Sequence, residues 1–185
     1  MDRERIIKLT HEYGGEWAIN HARRICHLVK LIANGAEYDE NVVWIAAQLH
    51  DWGGYPQFAR AGVAHQVRSR EVAEEFLPSE GCPPDLAARV LECIEAHHGG
   101  PPDRSIESLL FTDADALDLL GVVGVCRVFS MWPRDLRGAW QAIQTWRDTS
   151  TAAITHPKAR AMAETRIEET NAMLRAFEEE AFGTF

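Results

Sequence analysis

Apolar positions recur every three to four residues along nearly the whole chain, and no run alternates with period two over β-branched residues. That periodicity predicts helices and no sheet. Residues 16–33 carry Trp17, Ile25, Leu28, Val29 and Ile32 on one stripe, closed by Asn34-Gly35 as a helix stop. Residues 40–50 turn Val43, Ala46 and Ala47 inward, and the Gly- and Pro-rich "DWGGYPQFARAG" then reads as loop. Further helices are predicted over 65–77 and over 85–98, the second opened by Pro83-Pro84-Asp85 and stopped by "HHGGPPDR". Residues 105–130 read as one or two helices around the Gly-rich "LLGVVGVC". Amphipathic helices over 134–148 and about 156–181 follow. No repeat or linker interrupts the pattern. The expectation is one all-α domain over 1–185, a helical bundle with its core at about 17–127 and C-terminal helices at about 134–182 packing on it.

Composition narrows what such a bundle could do. The 185 residues are 46% hydrophobic and 25% charged, typical of a globule with a full core. A net charge of −9 argues against a broad nucleic-acid polymer surface, which needs a basic stripe. It leaves room for a small phosphate ester, because a bound divalent cation supplies local positive charge. The charged start "MDRERIIKLT" has no signal-peptide core, and no apolar run approaches the roughly 20 residues of a membrane span. The four cysteines show no CxxC pairing, so reduced thiols in a cytoplasmic protein are expected, and no membrane partner. Six tryptophans leave an oligomeric interface open.

Helical spacing places several histidines and aspartates on apolar stripes. His21 lies four residues after Trp17 and four before Ile25. His50 follows Val43, Ala46 and Ala47, and ends its helix beside Asp51 in "WIAAQLHDWGG". His97 and His98 follow Val90, Leu91, Cys93 and Ile94, and Asp115 lies between Phe111 and Leu119 in "FTDADALDLLG". Each has a duller reading. His21 could be a hydrogen-bonded core histidine, His97 and His98 could end a helix, His65 could open one, and Asp113 or Asp115 could cap one. A single divalent cation explains them together, because a buried carboxylate needs a partner and neutral imidazoles are ready ligands.

An inward His, a second helix ending in His-Asp, and a later Asp in an A-D-x-L register, here His21, His50-Asp51 and Asp115, together resemble the HD-domain superfamily of metal-dependent phosphohydrolases. The resemblance covers about residues 17–127, and the tail "TSTAAITHPKARAMAETRIEE" is similar to that of a compact bacterial subgroup. It implies an HD-type helical bundle, with His21, His50, Asp51 and Asp115 as metal ligands. His65, His97 and His98 stand where some members hold a second metal. "GGYP" resembles a signature of a cyclic-dinucleotide-cleaving variant, but there it follows the paired histidines. Here it follows His50-Asp51, so that substrate is not assigned.

The chemistry expected is hydrolysis of a small phosphate ester or anhydride, with a nucleotide as the favoured substrate. A divalent metal lowers the pKa of its bound water from 15.7 to about 7 and polarises the phosphorus centre. Mn, Mg, Fe, Co or Ni would suit the oxygen and nitrogen donors. One ion is favoured and a second is open, because the path of the Gly-rich loop before His65 is not readable. With one ion, Asp51 would orient or deprotonate the water, and His65, His97 or His98 would hold water or protonate the leaving oxygen. Arg24, one turn from His21, leads the phosphate-binding candidates, followed by Lys158, Arg160 and Arg166, then Arg127. Asp113 is expected to cap a helix or support a ligand from the second shell. Two other readings stand beside this one: a diiron HD-type oxygenase, and a non-catalytic module that binds metal and nucleotide.

Overall fold

A computed structural model describes residues 1–185, and every regular element in it is helical. The eight α-helices are α1 (Arg3–Ala33), α2 (Glu40–Leu49), α3 (His65–Ser79), α4 (Pro84–Glu95), α5 (Ile106–Asp118), α6 (Gly121–Met131), α7 (Leu136–Ala153) and α8 (Pro157–Ala181). A short 3₁₀ turn, Trp52–Gly54, follows α2. The all-α reading therefore holds, with two departures. α1 begins at Arg3, where the Asp2 carboxylate accepts from the Glu4 and Arg5 N–H groups at 3.0 and 3.3 Å. Its first half buries only Ile6 and Thr10, too sparse a stripe to read from sequence. The two halves meet at Gly15, whose φ of 65° lies outside the helical region and kinks the helix. The second departure is α4, which stops at Glu95 and leaves His97 and His98 in the turn beyond it.

The chain divides into two compact units, Met1–Thr112 and Asp113–Phe185. In the first, α1 packs on α2, α2 on α4, and α3 on both α4 and the 3₁₀ turn. Trp52 is the anchor of this unit. Its indole N–H donates to Thr10 Oγ1 at 3.2 Å, and Tyr13 and Phe76 meet its ring at centroid distances of 5.0 and 4.9 Å. Thr10 in turn donates to the Gln48 carbonyl, so the residue after His50-Asp51 is tied to both α1 and α2. Removing so large a buried ring typically costs about 3–5 kcal/mol. The start of α2 is pinned separately: Arg89 binds Asp39 at 3.0 Å and Glu107 at 2.8 Å, and Glu107 accepts from the Asp39 N–H.

The second unit packs α6, α7 and α8 around Val125, Val128, Ile143 and Leu174, with Phe129, Trp132, Trp140 and Trp146 at the rim. α5 and α6 are separate helices because Gly121 has φ of 74°, a left-handed conformation that glycine adopts without strain. Its N–H donates to Thr170 Oγ1 at 2.8 Å, which ties the break to α8. No helix is long and apolar enough to cross a membrane.

Candidate metal centre

Two groups of ligand-type side chains form in the first unit: His21, His50 and Asp51, and His65, His97 and His98. Within each, one ligand atom per residue lies within 4.8 Å of the others. His21 projects from the buried face of α1, and His50 is the C-cap of α2, where Asp51 leaves the helix. His65 is the first residue of α3, and His97 and His98 sit in the turn after α4.

The backbone sets the direction of two of these rings. His50 Nδ1 lies 3.1 Å from the Ala47 carbonyl, and His97 Nδ1 lies 2.6 Å from the Ile94 carbonyl. A carbonyl only accepts, so each Nδ1 donates its proton there and each Nε2 is turned into its group. Each Nε2 faces another imidazole. His50 Nε2 is 3.2 Å from His21 Nε2, and His65 Nε2 is 3.0 Å from His97 Nε2. This i−3 anchoring by Ala47 and Ile94 is a functional contact that sequence reasoning missed, since it appears only once the chain turns at each helix end.

Asp51 touches both groups. Its Oδ2 is 3.3 Å from His50 Nε2 and 3.7 Å from His21 Nε2, while its Oδ1 is 3.5 Å from His65 Nε2. Burial pushes the Asp51 carboxyl up, but His50, with His21 and His97 behind it, holds it well below the usual carboxylate range. The carboxylate is thus ionised and keeps 22% of its accessible surface, whereas the His21 and His50 side chains keep 3% and 2%. His65 at 35% and the exposed His98 form the solvent edge of the set.

These donors fit a divalent cation. Nitrogen and carboxylate oxygen converge on a small volume, and no thiolate takes part. The His21 group mixes two imidazoles with a carboxylate, and the His65 group offers three imidazoles.

The remaining predicted residues have these surroundings. Arg24 is half-buried on α1, the turn after His21, and Lys158 is exposed at the start of α8. Asp115 is buried on α5. Asp113 accepts from the Thr155 and His156 N–H groups at 2.9 and 2.6 Å, so its carboxylate is spent on the chain entering α8. Arg127 binds the Asp118 carboxylate at 2.6 Å in a buried pair, which commits the charge expected to meet phosphate. Arg160 and Arg166 donate to the Ile154 and Leu117 carbonyls.

The sequence profile of the HD domain matches residues 18–120. Ribonuclease Y of Desulforamulus reducens is 29% identical over 117 residues, which are 60% of this chain and 20% of that protein. The chain therefore spans about a fifth of that curated relative's length. A predicted HD-superfamily hydrolase from an uncultured Thermotogales bacterium superposes with a TM-score of 0.66 at 26% identity, covering 96% of this chain and 92% of that one. YpgQ of Bacillus subtilis, solved in complex with ADP, superposes with a TM-score of 0.67 at 23% identity over 97% of both chains.

Proposed function

The chain belongs to the HD-domain family, and we propose that it is a metal-dependent phosphohydrolase acting on a small phosphate ester or anhydride, with a nucleotide as the favoured substrate. One observation carries the reading: two ligand groups flank one ionised carboxylate, Asp51, with an oxygen toward each. His21, His50 and Asp51 would hold the first ion. The family pattern adds Asp115 as a further acidic ligand, a part supported by sequence alone. The sequence by itself favours one ion; the clustering of His65, His97 and His98, with Asp51 Oδ1 3.5 Å from His65 Nε2, supports a second that these side chains would hold.

When bound, a divalent ion supplies Lewis acidity at the phosphoryl oxygens and a nucleophile at neutral pH. The chain's residues do the rest. The Ala47 and Ile94 carbonyls fix the His50 and His97 rings so that Nε2 faces inward. Ionised Asp51 would help hold the ion and orient the attacking water. His65 and exposed His98 border solvent, so the phosphate enters from their side, and Arg24 is the first candidate to meet its remaining charge. A nucleotide is supported by the ADP seen in YpgQ, a protein of the same fold.

Nucleoside mono-, di- and triphosphates and a chromogenic phosphodiester, each with Mn²⁺, Mg²⁺, Co²⁺ or Ni²⁺, test this. Metal-dependent turnover that His50→Ala abolishes is expected. No turnover of any substrate with any metal overturns it, and nucleotide binding without turnover points to a non-catalytic module. The three-imidazole group also suits iron and keeps the diiron oxygenase as a second reading. Oxygen consumption after anaerobic iron loading would support that reading.

A further inference from the structure

His65 differs from the other ligand-type histidines in how it is held. His21 and His50 sit on the long packed helices α1 and α2, and His97 is tied by its own ring to Ile94. His65 instead opens α3 after an irregular stretch, and Ala64 before it offers no side-chain cap. Its distance from Asp51 therefore depends on where the backbone of α3 begins.

Gly53 fixes that point by contact with the first turn of α3. Its N–H donates to Ser69 Oγ at 2.9 Å, and both residues are buried, Ser69 completely. A Cβ at position 53 would overlap the Ser69 N and would lie 2.6 Å from the Arg68 carbonyl carbon and 2.7 Å from the His65 carbonyl oxygen. All three are backbone atoms, so no flexible side chain can yield. Gly53 is not among the positive-φ glycines, so the requirement is for space and not for conformation. Its neighbour Gly54 is under no such constraint, since a Cβ there meets the His65 Cβ and Cγ at ordinary contact distances of 3.5 and 3.9 Å.

Gly53 is two residues from Asp51 and touches the backbone of His65 itself. We propose that Gly53 and Ser69 form a positioning latch that sets the His65 imidazole against Asp51 and His97, and so decides whether the second group takes up an ion. They are positioning residues, not catalytic ones: neither reaches a ligand atom, and both act through His65. Any side chain at 53 would lever the first turn of α3 outward, widening the 3.5 Å His65–Asp51 and 3.0 Å His65–His97 approaches. Loss of the Ser69 hydroxyl would leave the buried Gly53 N–H without its acceptor and loosen the same turn. The inference about ion uptake rests on the two-ion reading above.

The test compares Gly53→Ala, Ser69→Ala and the control Gly54→Ala with wild type in two measurements. Mn²⁺ bound per chain is measured by equilibrium dialysis with elemental analysis. Histidine side-chain NMR resonances are recorded on the ion-free proteins. The second Mn²⁺ is expected to bind about 10–100-fold more weakly in Gly53→Ala and Ser69→Ala, as for other changes behind a metal ligand. The first ion should bind as in wild type, and Gly54→Ala should keep both. In the ion-free proteins the His65 resonances should move and those of His21 stay. Unmoved His65 resonances in Ser69→Ala, or equal weakening of both ions, overturn the latch. If wild type binds one Mn²⁺, the two-ion reading fails, and the resonances still decide the latch. Ser69→Ala keeps the test open should Gly53→Ala not fold.

Discussion

The two units of the chain use buried polar side chains in opposite ways. In Met1–Thr112 the buried imidazoles of His21, His50 and His97 bring ring nitrogens to one another, to His65 and to Asp51. In Asp113–Phe185 the buried polar groups consume one another: Arg127 with Asp118, Thr170 with the Gly121 N–H, Asp113 with the Thr155 and His156 N–H groups. A polar group satisfied by its neighbours stabilises a fold, whereas imidazole nitrogens and a carboxylate gathered in one small volume form a donor set suited to a cation. The first arrangement is the mark of a site and the second of a scaffold.

The largest expected effect is on the site. Asp51→Ala should remove bound metal and lower hydrolysis by more than the roughly 10–100-fold that changes behind the ligands cost. Far-UV circular dichroism should stay helical, because the aliphatic core does not depend on Asp51. Full activity with metal retained would erase the distinction between the two units.

Arg127→Ala should act only on stability. It strands a buried carboxylate, at about 3–5 kcal/mol. For a chain of this size that lowers Tm by roughly 6–20 °C. Metal content per folded chain should be unchanged. If weak substrate binding replaced the loss in Tm, Arg127 would belong to the site.

Two aspartates on α5 sharpen the contrast. Asp113→Ala leaves two N–H groups without their acceptor and should cost about 1–3 kcal/mol, with metal retained. Asp115→Asn should instead lower metal content, as the family register expects. The reverse outcome would mean that the A-D-x-L register is misplaced by two residues.

The smallest effect concerns thiols. Burial pushes the Cys26 thiol up to about 11 and the Cys93 thiol higher still, while Cys126 is exposed. Because only the thiolate attacks, Cys126 should be labelled first at pH 8 by a maleimide or disulfide reagent. Cys26 should follow only as pH climbs toward 11, and Cys93 only on unfolding. Mass spectrometry of labelled peptides reads the order.

Much of this was legible in the sequence where local periodicity decides the outcome. α2 ending on His50-Asp51, the inward turn of His21, and the stop at Asn34 all follow from spacing and turn chemistry. Less legible was what depends on tertiary contact. The first half of α1 escaped notice because Ile6 and Thr10 are its only buried residues. Arg127 reads as an available charge, yet it pairs with buried Asp118, and Arg160 and Arg166 each give one N–H to a backbone carbonyl. The gathering of His65 with His97 and His98 hinges on Gly53 lying flat against the backbone of α3, across a loop whose path no periodicity encodes.

The most direct test is an anomalous difference map from crystals grown with Mn²⁺. Two peaks are predicted, one within about 2.0–2.6 Å of His21, His50 and Asp51 and the other at the same range from His65, His97 and His98. A map without a peak at the His21–His50–Asp51 group, from crystals whose solution activity depends on Mn²⁺, would contradict the metal centre outright.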